Sequence, residues 1–323
     1  MIKKSIMRKA KIMVLISLLM LLVTMVPLQQ NASPVFLQNH ELEYIKSSNI
    51  TNHVFLINQH GYAARTEIVI TNQQLSPEHS VTSLIETLVI KGKYENRIPT
   101  GFHPIIPEDT MVRSVKIDKN VAKINFSKEL LEISKKDEEQ MIEAIIYTAT
   151  SVEGIDYIII YVEGEILNEL PHSKRKLPPR LNRSFGINKV FNLNSTRNIV
   201  SFNIYYTSQI GDKEYFVPVT KYVNSTKDVM TLVMNELRSS KVWLPYLTNN
   251  VPNNANIINY HKGDEVLNLV FNEYILSNGQ SRIEDNIMNA ISLSMFDNFG
   301  ISEVNMQVNN HSKATPVFRV RQN

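Results

Sequence analysis

Apolar positions along this chain recur at two spacings, and each spacing predicts an element. Val54 to Ile57 and Thr66 to Ile70 are β-branched and aromatic runs on either side of a turn containing Gly61, the pattern of an antiparallel strand pair. Ser80, Leu84, Ile85, Leu88 and Val89 then keep one helical face, and Lys91-Gly92 supplies a stop. Pro99, Pro104 and Pro107 make the next stretch a loop. Val115 and Ile117, a polar Asp118-Lys119-Asn120 connector, and Ala122, Ile124 and Phe126 alternating with Lys123 and Asn125 read as a half-buried hairpin. A second helix is predicted from Ser134, which opens a Ser-x-x-Asp sequence. Asp137, Glu138 and Glu139 place anions at the positive end of that helix, and Ile142, Ile145, Ala149 and Val152 form its face. Tyr157 to Val162 is continuously apolar, as expected of a strand covered on both faces or placed centrally. The unit is ββαββαβ, a small sheet with two helices.

This apolar skeleton occurs twice. Ile106-Pro107 and Val121-Ala122-Lys123-Ile124-Asn125-Phe126 return as Val251-Pro252 and Val266-Leu267-Asn268-Leu269-Val270-Phe271. Ala144-Ile145, Gly154-Ile155 and Val162 return as Ala290-Ile291, Gly300-Ile301 and Val308, and Phe55-Leu56-Ile57 before Gly61 has its counterpart in Ile204-Tyr205-Tyr206 before Gly211. Ser281-Arg282-Ile283-Glu284 reads as a capping box ahead of Ile287, Ala290, Ile291 and Met295. Solenoid units span roughly 20 to 50 residues, so so long a period means a duplicated domain. The fold class is α+β, in two tandem modules, over 52–168 and 201–311. They are expected to be separated by a basic proline-containing linker at 169–200 and followed by a tail at 312–323.

Ahead of the modules, 1–33 reads as a targeting segment and 34–51 as a linker. Lys3, Lys4, Arg8, Lys9 and Lys11 precede Ile12 to Val26, a run without charge that Pro27 closes. A bilayer span needs roughly 17 to 25 residues, so the run fits a short or tilted anchor with the body outside the cytoplasm, or a signal peptide that is cut. Those five cations account for more than the whole net charge of +3, and the rest of the chain is therefore slightly acidic. Nucleic acid is disfavoured as a general partner. From Leu170 to Gly211 there is no Asp or Glu, yet seven Lys and Arg fall there among Pro171, Pro178 and Pro179. This stretch reads as a solvated, semi-rigid spacer. Alternatively Lys174, Arg175, Lys176, Arg180 and Arg183 touch an anionic partner: lipid head groups, a wall polymer or an acidic protein.

Signals for chemistry are sparse. The chain has no cysteine, which excludes a disulfide scaffold, a thiolate metal centre, a cysteine nucleophile and a lipid-modified cysteine. The eight histidines form no HExxH, and no GxSxG, GxxxxGK[ST] or GxGxxG occurs, so no catalytic, cofactor or metal-ligating residue is assigned. His53 and His60 flank a turn and read as ordinary exposed histidines. Asp137-Glu138-Glu139 has a structural role at a helix start, and Glu108-Asp109 becomes Asn253-Asn254 in the second copy, so no acid is duplicated there. Met230, Met234 and the Tyr205-Tyr206 pair read as core. An exported hydrolase would need a site without a recognised motif.

The first copy resembles the GerMN domain of sporulation and spore germination proteins. The residues that carry the resemblance are Ile106-Pro107-Glu108-Asp109-Thr110, Ser114-Val115, Val121 to Glu129, Glu143-Ala144-Ile145 with Thr148, Gly154-Ile155 and Val162-Glu163-Gly164. The resemblance runs from about Asn52 to Asn310 and is weaker in the second copy, where Val270-Phe271-Asn272 replaces Asn125-Phe126-Ser127. It implies an exported, membrane-attached protein without enzymatic activity or cofactor. Its partners would be envelope or sporulation-channel proteins, in a transenvelope channel between mother cell and forespore. Familiar members are lipoproteins; without a cysteine, attachment here would fall to Ile12 to Val26.

Overall fold

The computed structural model describes residues 43–44, 52–68, 76–276, 282–309 and 317–321. The targeting segment at 1–33 lies outside the described residues. No helix among the described residues is long and apolar enough to cross a membrane. Before the first module comes a two-residue strand, β1 (Glu43–Tyr44). The first module is built from β2 (Asn52–Asn58), β3 (Ala63–Ile68), α1 (Pro77–Glu86), β4 (Phe102–His103), β5 (Val112–Asp118), β6 (Val121–Phe126), α2 (Glu138–Ala149), β7 (Tyr157–Val162) and β8 (Glu165–Ile166). After β9 (Val190–Asn192) the second module repeats the order: β10 (Ile199–Ile210), β11 (Lys213–Asn224), α3 (Val229–Leu237), β12 (Ile257–Lys262), β13 (Val266–Phe271), α4 (Asp285–Phe299) and β14 (Glu303–Val308). A last strand, β15 (Val317–Arg321), closes the chain.

The duplication holds at the level of register. In the first module β5 pairs antiparallel with β6, and β6 runs parallel to β7 with Phe126 opposite Val162. In the second, β12 pairs antiparallel with β13, and β13 runs parallel to β14 with Phe271 opposite Val308. Even the irregularity recurs: each outer hairpin slips register once, between Val112 and Ser114 and between Ile257 and Asn259. The two halves thus carry one ββαββαβ topology, as the apolar repeat predicts. The inward positions of the central strands are buried, including Ala122, Ile124 and Phe126 in the first copy and Leu267, Leu269 and Phe271 in the second. Met230, Met234, Tyr205 and Tyr206 are core residues too.

Both second helices start later than their serine signals. Ser134 donates its hydroxyl to Asp137 and not to the helix backbone, and Asp137 itself takes the cap position without a side-chain cap. In the second copy the cap position falls to Glu284, whose side chain does not cap the helix backbone, and Ser281 lies outside the described residues. The first helix does form a proper cap: Ser76 accepts from the His79 amide, with Pro77 in the first turn, where its missing N–H costs nothing.

Three expectations about connections are corrected. The C-terminal tail contains β15, which pairs antiparallel with β14, and β1, placed in the N-terminal linker by the sequence, pairs parallel with β15. The segment at 169–200 is not a solvated spacer. Leu170, Leu177, Leu181 and Ile187 are buried, Leu181 bridges to Ile158 on β7, and β9 pairs with β11. Most important, the leading hairpins of the two modules share one sheet, in the order β10-β11-β3-β2-β4, with β9 beside β11. Each module keeps a second sheet of its own, β5-β6-β7-β8 and β1-β15-β14-β13-β12.

Candidate functional site at the junction of the modules

The shared sheet depends on few backbone pairs. Between β3 and β11 the ladder is registered only at Phe216 opposite Arg65. Close by, Pro218 has no amide hydrogen to offer, and a side chain completes the joint. Asn188 donates to the carbonyls of Ala63 (2.8 Å) and Pro218 (2.7 Å), and its Oδ1 accepts from the Ala63 amide (3.0 Å). Asn188 holds a left-handed backbone, φ 45°, which asparagine tolerates better than most residues.

The connecting segment is fastened to the acidic first turns of α2. Glu138, buried, accepts from the backbone amides of His172 (2.8 Å) and Ser173 (3.0 Å). Glu139 pairs with Arg175 (2.7 Å) and Lys189 (2.6 Å), and Glu143 pairs with Lys189 (2.9 Å) and accepts from the Asn188 amide (2.9 Å). Lys189 also lies 3.8 Å from the centre of the Phe185 ring. Burial pushes the Glu143 carboxyl above its usual range, with Lys189 pulling it back, whereas for Glu139 the two cations outweigh burial and hold it below.

Deeper in the junction stands one charge cluster. Arg183 pairs with Asp297 of α4 at 2.5 Å, with side-chain exposures of 19% and 1%. Its Nε donates to the Thr150 hydroxyl (3.0 Å), and its guanidinium lies over the Tyr147 and Phe55 rings. Tyr205 donates to the other Asp297 oxygen (2.9 Å), Tyr147 to the Arg183 carbonyl (3.2 Å), and Thr220 to Asn203 (2.6 Å). Burial disfavours the Arg183 cation, but the Asp297 carboxylate more than compensates and raises its pKa. Burial and the same carboxylate raise Tyr205. His53 is buried at 5% exposure with Nδ1 unpartnered, which corrects the expectation of an exposed histidine. Burial, then the charges of Arg65 and Arg183, lower its pKa to about 3.

One polar feature is duplicated after all. Thr148 on α2 accepts from the Phe55 amide (3.0 Å), and Ser294 on α4 accepts from the Tyr205 amide (3.0 Å). These hydroxyls stand at corresponding places and tie the second helix to the first strand in each copy. A buried amide that the ladder leaves free is satisfied by this bond.

The five cations singled out from the sequence do not converge on one free surface. Lys174 (3.7 Å) and Lys176 (2.7 Å) both pair with Glu169, Arg175 pairs with Glu139, and Arg183 is taken by Asp297. Arg180 is exposed. Beside the cluster an open groove of about 900 Å³ runs between the modules, lined by Asn120, Thr150, Asp156, Arg183, Asn203 and Asp297 among others, with no histidine in its wall. Among the described residues no group of three His, Asp or Glu gathers as a metal site. The arrangement is chemically suited to holding modules together. Asn188, Asp297 and the Thr148/Ser294 pair were not found from the sequence; the recurrence of a hydroxyl at one place in both copies was the available signal.

Comparison with known proteins agrees with this architecture. The profile of the Germane family, described as sporulation and spore germination, matches residues 53–168 and 203–314. The spore germination protein GerM of Bacillus subtilis (strain 168) is 27% identical over 274 residues, 83% of this chain and 74% of that one. The solved tandem GerMN domains of the B. subtilis sporulation protein GerM align with a TM-score of 0.73 and 25% identity, covering 81% of this chain and 92% of that structure. Two matched stretches, one doubled topology and a common tandem fold lead to one conclusion: the chain belongs to the Germane family of sporulation and spore germination proteins.

Proposed function

We propose that the chain is a non-enzymatic scaffold of the sporulation envelope, displayed outside the membrane behind an N-terminal anchor, and that it assembles or stabilises a transenvelope channel through protein contacts. The observation that carries this reading is the joint between the modules. A buried charge pair, an asparagine staple and a row of acid contacts hold the two copies in one orientation. Two strands, β5 and β12, lie at the outer ends of their sheets. Strand ends of this kind accept a partner's strand by backbone pairing. Cross-linking the full-length chain in sporulating cells should capture envelope proteins, and deleting it should impair spore formation or germination. Normal spores from the deletion strain, with no envelope protein captured, would refute the proposal.

The alternative, binding of an anionic wall polymer through the connecting segment, has less to support it. Four of its five cations would first have to leave acids within the chain. Sedimentation with purified wall material, with and without Lys174→Ala and Lys176→Ala, distinguishes the readings; loss of binding in the variant favours the polymer.

A further inference from the structure

Trp243 is the chain's one tryptophan, and it stands 86% exposed on the loop that follows α3. It is not a stray side chain on a floppy segment. The loop is tied at both ends: Ser239 accepts from the Lys241 amide, Asn249 donates to the carbonyls of Glu236 and Ser239, and Thr248 bridges to Thr207 of β10. Within it Leu247 is buried and roots the loop in the core, while Trp243 and Tyr246 project outward. Tyr246 has a left-handed backbone, φ 64°, a conformation an aromatic residue adopts at a cost, and the residue is still 66% exposed. One of its faces is stacked on His60 of the first module, centroids 3.9 Å apart and planes 9° from parallel. The residue thus stays at the surface, with one face of its ring held against His60.

The chemistry of the loop narrows the partner. From Leu237 to Gly263 there is no Asp or Glu, while Arg238, Lys241 and Lys262 fall there, and Lys241, next but one to Trp243, is exposed. Trp and Tyr prefer the boundary between lipid head groups and acyl chains, where an apolar ring body and a polar edge are both satisfied. A lysine beside them adds attraction to anionic head groups, and an acid would oppose it. A protein hot spot would instead seat the tryptophan at the centre of a broad, packed patch. Here Trp243 stands 86% exposed on a loop, with Tyr246 the other strongly exposed aromatic of that loop. We propose that residues 239–248 are a membrane-surface contact, with Trp243 and Tyr246 entering the head-group boundary of an anionic bilayer and Lys241 contacting its phosphates. This is a second membrane contact, separate from the N-terminal segment.

The single tryptophan makes the test direct, because intrinsic tryptophan emission of the full-length chain reports Trp243 alone. The chain is mixed with vesicles of phosphatidylcholine containing phosphatidylglycerol, with and without lipids brominated near the head-group end of the acyl chain. The proposal expects a shift of emission to shorter wavelength and quenching by the brominated lipid. Lys241→Glu should reduce that quenching about fivefold at low salt. Co-sedimentation with vesicles while the emission stays at its aqueous position would overturn the proposal, since another segment would then be holding the chain. Quenching equal in Lys241→Glu would overturn the part given to Lys241. A shift produced by an envelope-protein fraction and never by lipid would replace the bilayer with a protein partner.

Discussion

Single residues in this protein matter most where burial leaves them no alternative partner. Phe126 is fully buried opposite Val162, so Phe126→Ala should cost about 3 to 5 kcal/mol in urea unfolding. Asp297 illustrates the other extreme, a charge whose value lies in its partner. Removing it by Asp297→Ala leaves Arg183 uncompensated and should cost about 3 to 5 kcal/mol, whereas Arg183→Met combined with Asp297→Leu should cost less than the sum of the two single changes. Additive losses in that double-mutant cycle would show that the pair does not act as a unit. His53 yields a pH signature. Its pKa is about 3 folded against 6.5 for the free side chain, so the unfolded chain binds the proton first. Its contribution is complete above pH 6.5 and declines as pH falls toward 3, by about 1.4 kcal/mol per unit. The acid limb of a stability profile should therefore flatten in His53→Phe, and an unchanged slope would assign the acid loss to carboxylates. Phe126 was legible in the sequence because alternation reports burial. Asp297 and His53 were not, since a lone acid or histidine reads alike in water and in a core.

Among the elements, α2 shows how one helix serves two purposes. Its apolar face, including Ile142, Ile145 and Ala149, follows from periodicity, and its acidic start reads as a helix-dipole device. In the folded chain Glu138 and Glu139 of that start, with Glu143 one turn on, instead bind the connecting segment, Glu138 through two amides and Glu139 and Glu143 through Lys189. Lys189 is mostly buried between them, so Lys189→Ala should destabilise by about 3 kcal/mol and open residues 169–198 to limited proteolysis. By contrast, Lys174→Ala and Lys176→Ala remove exposed pairs with Glu169 and should each cost under about 1 kcal/mol. If the proteolysis pattern were the same in all three variants, the fastening of this segment would have to be sought elsewhere. Arg175, Arg183 and Lys189 looked like part of a solvated run because the acids that meet them, Glu139, Glu143 and Asp297, lie well before and after the segment in the chain, on α2 and α4.

At the scale of the whole molecule, the question is whether the modules behave as two bodies or one. The sheet β10-β11-β3-β2-β4 crosses the boundary, and the buried Arg183–Asp297 pair lies on it. Calorimetry of the full-length chain should therefore show one cooperative unfolding transition with equal calorimetric and van't Hoff enthalpies. Two separated transitions would mean that the joint is weaker than its contacts suggest, and Phe216→Pro, which removes the registered pair between β3 and β11, should produce them. The sequence by itself determined the repeated elements of the two modules, their order and their duplication, because spacing of apolar residues is a local property that each strand or helix must satisfy alone. Only the tertiary structure decided that the two leading hairpins share a sheet, that β15 extends another, and which charges meet. Backbone pairing between strands is indifferent to side-chain identity, and an ion pair depends on distance in space, not on separation along the chain.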